Sequence, residues 1–251
     1  GVGYDNIHTP SALEKNIKVS NTPNVLNDAV AEITMLLILA SSRRIGEAYN
    51  LVKSNTWKDH RPDITKLMVG NEITGKTLGI IGMGRIGGRV LRRTQAFGTP
   101  RLLVNDIMPN DSSNKELKLE WASKEKIFEE ADIISLHVPL TKLTKNMVTK
   151  KELLSMKKDA MVINVARGGI INENDLDKAL NENLIFGAGL DVFVNEPITL
   201  DNPLLKNKKV ILSPHSATFT DECTSRMGIE TTKNIIDFFE NKIDKSMIVK
   251  L

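Results

Sequence analysis

The chain has 251 residues, is 41% hydrophobic and 26% charged, and carries a net charge of +3. That is the composition of a globular protein with a real core, large enough for one large or two ordinary domains. No dense basic cluster marks a nucleic-acid groove. The longest apolar run, Ile33 to Ala40, is broken by Thr34 and is too short to cross a bilayer, so no membrane partner is expected. The single cysteine, Cys223, excludes an intrachain disulfide and fits a reducing compartment, hence an expected cytoplasmic location. No metal site is expected.

The chain opens on Gly1-Val2-Gly3-Tyr4-Asp5-Asn6, which reads like the turn after a strand that precedes it. A fragment is expected, with room upstream for a targeting peptide. Pro10 to Lys15 suits a short helix and Ile17 to Val19 a short strand. Asn21-Thr22-Pro23-Asn24 is a breaker cluster and a candidate domain boundary. From Asp28 one long helix is expected to run to about Val52, with an apolar stripe wide enough to be buried on more than one side. Thr56 to Gly75 lacks periodicity, carries Trp57, His60 and Pro62, and is expected to be an extended arm.

The next stretch organises the rest. Leu78 to Gly88 reads Leu-Gly-Ile-Ile-Gly-Met-Gly-Arg-Ile-Gly-Gly, a short apolar run ending in Gly82-x-Gly84-x-x-Gly87. A helix-compatible segment from Arg85 to Phe97 follows. Strand, glycine turn and helix in that order form the dinucleotide fingerprint. Gly82 makes the tight turn, Gly84 admits a pyrophosphate close to the backbone, and Gly87 lets helix and strand pack closely. The helix N-terminus offers N–H groups to the anion. A second apolar run, Leu102 to Val104, leads to Asp106, nineteen residues after Gly87, where an acid can bind the ribose hydroxyls. The pattern predicts NAD rather than NADP, because Asp106 repels a 2′-phosphate and Ile107 and Met108 supply no cation. Arg101 and Lys115 are the nearest cations in sequence.

Apolar runs then recur at Ile133–Val138, Met161–Val165, Phe186–Leu190 and Val210–Leu212. Helix-like segments at Lys124–Glu130, Lys150–Met156 and Asn174–Asn183 separate most of them, and Asp221 to Asn241 closes the chain with a long helix. The alternation predicts an α/β fold, a doubly wound parallel sheet of six strands covered on both faces. Ligands of such sheets bind outside the carboxyl ends of the strands. The residues just past each run therefore matter most: Asp106, His137-Val138-Pro139, Ala166-Arg167-Gly168-Gly169, Asp191 and Ser213-Pro214-His215. Arg167 is suited to clamp a carboxylate. His215 is a candidate acid–base group and Glu196, just before Pro197, a carboxylate to orient it.

Taken together, these stretches resemble the D-isomer-specific 2-hydroxyacid dehydrogenases, which include glyoxylate, hydroxypyruvate and D-3-phosphoglycerate dehydrogenases. The resemblance is carried by Val2 to Ile7, Asn21-Thr22-Pro23, Asp28 to Glu32, Gly75 to Gly87, His137-Val138-Pro139-Leu140-Thr141, Asn164 to Gly169, Gly187 to Phe193, Glu196-Pro197 and Ser213-Pro214-His215. It covers the chain in one order. It implies an NAD-dependent oxidoreductase that moves a hydride between the nicotinamide and a small 2-hydroxy or 2-keto acid. Arg167, Glu196 and His215 match the family's catalytic residues. Gly82, Gly84, Arg85, Ile86, Gly87, Asp106, His137, Val138, Pro139, Thr141, Ala166, Arg167, Asp191 and His215 match positions that line the cofactor, Asp191 near the nicotinamide amide. Val2 and Gly3, with Arg167 and His215, match the substrate site. The helix from Asp28 and the arm through Trp57 match a dimerisation region, so a homodimer is expected. The implied domains are a partial, flavodoxin-like substrate domain at 1–21, the NAD-binding domain at 22–217 and a closing helix at 218–251 that returns to the substrate domain. After His215 the chain runs directly into Ser216-Ala217-Thr218, where many members carry two further residues. NAD-bound corepressors resemble the same family and are the alternative reading. Formate dehydrogenases of this fold carry glutamine at the position of Glu196 and fit less well.

Overall fold

The computed structural model describes residues 1–60, 63–109 and 116–249. Pro62 and Lys115 lie outside the described residues. Contacts within the chain divide it into two compact units, Ala31–Ala217 and Gly1–Val30 with Thr218–Leu251. The first edge thus falls nine residues beyond the expected 21/22 boundary.

The larger unit is built on a sheet of seven strands among the described residues, in the order β3-β2-β1-β4-β5-β6-β7. The strands are β1 Thr77–Ile81, β2 Arg101–Asn105, β3 Leu119–Trp121, β4 Ile133–Leu136, β5 Met161–Asn164, β6 Gly187–Leu190 and β7 Val210–Leu212. All six pairings are parallel. The order runs outward in opposite directions from the β1/β4 junction, as a doubly wound sheet requires. Every residue of β4, β5 and β6 is buried, so the centre of the sheet is covered on both faces. One apolar cluster, including Ile81, Leu103, Ile127, Leu136, Val162 and Leu190, forms the core. A seventh strand joins the six expected. Its sequence, Leu-Glu-Trp, is three half-buried residues at the sheet edge, too short and too polar to show as an apolar run.

Helices α1 Thr9–Glu14, α2 Asn27–Ser42, α3 Ile45–Lys53, α4 Trp57–His60 and α5 Ile64–Leu67 precede the sheet, and α6 Arg85–Gln95, α7 Lys124–Glu130, α8 Lys150–Ser155, α9 Glu173–Asn181 and α10 Asp221–Phe239 follow its start. The single helix expected from Asp28 to Val52 is two. Arg44 adopts φ +52°, a left-handed conformation that ends the helical ladder. The Ser42 carbonyl accepts from the Asn71 N–H at 2.7 Å, while Arg44 pairs with Glu47 at 2.8 Å. A tertiary partner thus satisfies a carbonyl that a continuous helix would satisfy internally. In its second half α2 presses on β6. A Cβ on Gly189 would stand 2.9 Å from the Leu37 Cβ, and the Ser41 hydroxyl donates to the Ala188 carbonyl at 3.1 Å. The expected extended arm contains two single-turn helices, α4 and α5.

The smaller unit gathers both ends of the chain. Ala12, Val19 and Val249 form its apolar centre. The expected strand at Ile17–Val19 is reduced to a single antiparallel bridge, Ser20 with Ile248, flanked by Val249 N–H to Val19 carbonyl at 2.8 Å and Asn21 N–H to Met247 carbonyl at 3.0 Å. The Asn234 side chain of α10 donates to the Asn21 carbonyl at 3.0 Å.

Candidate active site

The register of the sheet brings six of the expected site residues to one edge. Asn105, Ile81, Leu136, Asn164 and Leu190 are neighbours across four successive strand pairs, and Leu190 is level with Leu212 across the fifth. The segments that leave these positions carry Asp106, Gly82, His137, Arg167, Asp191 and His215. Parallel pairing alone accounts for this, because all carboxyl ends of a parallel sheet point the same way.

On the β1 side the site is made of backbone. Gly82 has φ +99°, and a Cβ there would strike the His137 carbonyl. Gly87 lies against the Gly82 carbonyl with no space for a side chain. Gly84 differs, since a Cβ on it would meet nothing within 4 Å. The fold itself does not need a glycine there, and the position is open for a ligand to approach the backbone. Gly84 caps α6 with no side chain bonded to the helix end, so its first N–H groups have no side-chain cap, in a turn where Arg85 is exposed and Ile86 half-exposed. Asp106 is locked against this turn. One carboxylate oxygen accepts from the Met83 N–H at 2.7 Å and the other from the Met108 N–H at 2.9 Å. Each oxygen keeps a further lone pair for a hydroxyl. These features fit a dinucleotide.

His137 and Val138 are half-buried, and Pro139 and Thr141 are exposed in a turn held by Thr144, whose hydroxyl donates to the Pro139 carbonyl at 2.6 Å. The His137 ring contacts the Ser135 hydroxyl at 2.8 Å, and burial pushes its pKa down from the ordinary 6.5 to about 3. It is therefore a neutral hydrogen-bonding ring at physiological pH.

On the β5–β7 side the site is made of side chains. The buried Asn164 pins the turn after β5, donating to the Arg167 carbonyl at 2.8 Å and accepting from the Ala166 N–H at 3.0 Å. The Arg167 guanidinium donates to the Ala166 carbonyl at 2.7 Å. Gly168 follows because its α-carbon abuts the Phe193 carbonyl with no space for a Cβ. Glu196 reaches back to accept from the Phe193 N–H at 2.9 Å, and its other oxygen lies 2.6 Å from Nδ1 of His215. A carboxylate can only accept here, so Nδ1 carries hydrogen and Nε2 is left for chemistry. The His215 side chain is 45% exposed, open to a substrate, and its backbone sits at φ +50°.

Asp191 has a task the sequence did not suggest. It is fully buried, and its oxygens accept from the Ser213 hydroxyl at 2.6 Å, the Ser216 N–H at 2.9 Å and the Ala217 N–H at 2.9 Å. It thereby holds the loop that carries His215. Glu173 gives no such signal in the sequence either, since an acid in the first turn of α9 already has a helix-dipole reason to be there. Val2 and Gly3 are exposed in the smaller unit, where the Val2 carbonyl accepts from the Asn21 side chain at 2.9 Å.

Residues 35–217 match the model of the D-isomer specific 2-hydroxyacid dehydrogenase NAD binding domain. The chain belongs to that family. A glyoxylate reductase of Korarchaeum cryptofilum is 42% identical over 247 residues, 98% of this chain and 74% of the relative. A D-lactate dehydrogenase from Aquifex aeolicus, solved with NAD and lactic acid, superposes with a TM-score of 0.85 at 31% identity, over 96% of this chain and 75% of that one. A glyoxylate reductase from Paecilomyes thermophila gives 0.85 at 31%, over 100% and 72%. As a 2-hydroxyacid dehydrogenase, the protein is an NAD-dependent oxidoreductase of the 2-hydroxy acid and 2-keto acid pair. Among the described residues no group of histidines, cysteines or acids could hold a metal ion, and no helix is long and apolar enough to cross a membrane.

Proposed function

We propose that the protein reduces a small 2-keto acid of the glyoxylate or hydroxypyruvate kind, glyoxylate first, to its 2-hydroxy acid. The reading is carried by one observation: His215 is tied through Nδ1 to Glu196 at 2.6 Å, on a strand end level with the one that leads to Arg167. The glycine turn and Asp106 would hold the dinucleotide, with His137 to Thr141, Ala166 and Asp191 around it. When bound, NADH supplies the hydride that reaches the carbonyl carbon. His215 gives a proton from Nε2 to the carbonyl oxygen as negative charge builds there, and Glu196 keeps the ring oriented and stabilises its protonated form. Arg167 offers a planar fork of donors to the substrate's carboxylate or carbonyl oxygen. Val2 and Gly3 are proposed as substrate-binding residues through their backbone N–H groups, within a substrate domain formed around residues 1–21 and closed by the helix at 218–251.

We also assign a homodimer. Leu36, Ile45, Tyr49, Val52 and Trp57 are each more than half exposed, and these large apolar groups fall close together in sequence on α2, α3 and α4. The single buried cysteine suits the cytoplasm. The test is a substrate panel with the protein as it occurs in its cell. Saturable oxidation of NADH by glyoxylate or hydroxypyruvate is expected, with sedimentation as a dimer at micromolar concentration. Turnover of no 2-keto acid would remove the enzymatic reading, and a monomer would remove the dimer.

A further inference from the structure

We infer that Glu173 is a positioning residue for the His215–Glu196 pair, an inference that rests on the proposed roles of those two residues. Glu173 begins α9, far in sequence from either of them. One of its oxygens accepts from the Val194 N–H at 2.7 Å, and the other accepts from the Asn202 side chain at 2.6 Å. These contacts grip both ends of the loop on which Glu196 stands. The loop needs such a grip. Residues 194–197 are exposed, with little apolar packing to hold them. On its inner side the loop is already wedged, since Phe193 meets Gly168 through its carbonyl and Glu196 through its N–H. Asn202 is itself fixed, because its Oδ1 accepts from the Leu204 N–H at 3.0 Å and caps the following turn.

The consequence is geometric. With Val194 N–H and Asn202 both held, the Glu196 carboxylate meets Nδ1 of His215 in one place. Without Glu173, two donors lose their acceptor and the segment between them gains freedom. A displacement of about 1 Å at a reacting group can cost as much as about 10²-fold in rate. Glu173 touches no reacting atom in this arrangement. It acts through Glu196.

The donor pattern supplies a rescue. Glu173→Gln keeps an acceptor for Val194 but turns an amide NH₂ toward the Asn202 NH₂, two donors facing each other. Adding Asn202→Asp restores a donor–acceptor pair, and the new carboxylate still accepts from Leu204. Two measurements read the effect. The first is the ring ¹H–¹⁵N spectrum, in which the four histidines of the chain are few enough to assign. The Nδ1–H of His215 should be a protected, downfield signal in the parent, lost in Glu173→Ala, weakened in Glu173→Gln and restored in the double variant. The second is kcat for keto-acid reduction, falling about 10–10²-fold in Glu173→Ala with NADH affinity unchanged and recovering in the double variant. Glu173→Ala should add nothing in a Glu196→Ala background. An unchanged His215 signal and kcat in Glu173→Ala overturn the inference, as do additive losses with Glu196→Ala or failure of the double variant to rescue. If no keto acid is turned over at all, the ring spectrum still decides whether Glu173 orients His215.

Discussion

The two sides of the binding edge are built from different materials. Around β1 the chain uses backbone: a left-handed Gly82, an uncovered Gly84 and the N-terminus of α6, with Asp106 as the one side chain. Around β5, β6 and β7 it uses long side chains, each fixed by another polar group. Backbone needs little support to stay in place. A side chain that must meet a substrate atom within a few tenths of an ångström needs a second set of contacts, and Asn164, Asp191 and Glu173 supply them. The difference teaches where each side is vulnerable.

His215→Ala tests the side-chain half most severely. Reduction of glyoxylate should fall on the order of 10²–10⁴-fold, the usual worth of a positioned acid, with NADH binding retained. Equal loss of NADH affinity would mean that the two halves are not separate devices. Gly84→Ala and Gly168→Ala form the matched pair. At Gly168 the added methyl meets the Phe193 carbonyl, so a loss of about 1–3 kcal/mol of stability is expected, along with displacement of the Glu196 loop. At Gly84 it meets nothing in the protein, so the melting temperature should hold while NADH affinity falls. A stability loss at Gly84, or none at Gly168, would reverse the assignment.

A smaller effect is expected at Asp106. With the Asp106 carboxylate held against Met83 and Met108 in its proposed role at the ribose, a 2′-phosphate would be repelled, so NADH should be preferred to NADPH by about 1–3 kcal/mol. Asp106→Ser should narrow the gap, and equal kcat/KM with both cofactors in the parent would sink the reading. The last effect concerns pH and stability. Below the ordinary 6.5 the unfolded chain takes up a proton on His137 that the folded chain refuses down to about 3. Stability should therefore fall as pH drops through that window and be whole above it. His137→Gln, which cannot take the proton, should flatten the curve between those limits in urea titrations. A curve of the same slope would place the acid sensitivity elsewhere.

The sequence by itself determined the alternation of strands and helices, the glycine turn and the acid after β2, because each depends on residues close together in the chain. Burial, turn geometry and helix capping are local constraints, and they leave local patterns. It also marked Arg167, Glu196 and His215 as residues at strand ends, and the 2.6 Å contact between the last two realises the expected pairing. Only the tertiary structure decided what depends on distant partners. The break between α2 and α3 exists because Asn71 takes the Ser42 carbonyl and Arg44 turns left-handed. Strand β3 exists because β2 lends it an edge, not because Leu-Glu-Trp asks for one. Asp191 holds residues 213–217 and Glu173 holds residues 194 and 202, contacts that span roughly twenty to thirty positions and leave no period to read. An acid on a loop or in a helix's first turn looks solvated in sequence. It gains its role when the sheet's register brings its acceptor oxygens opposite particular N–H groups.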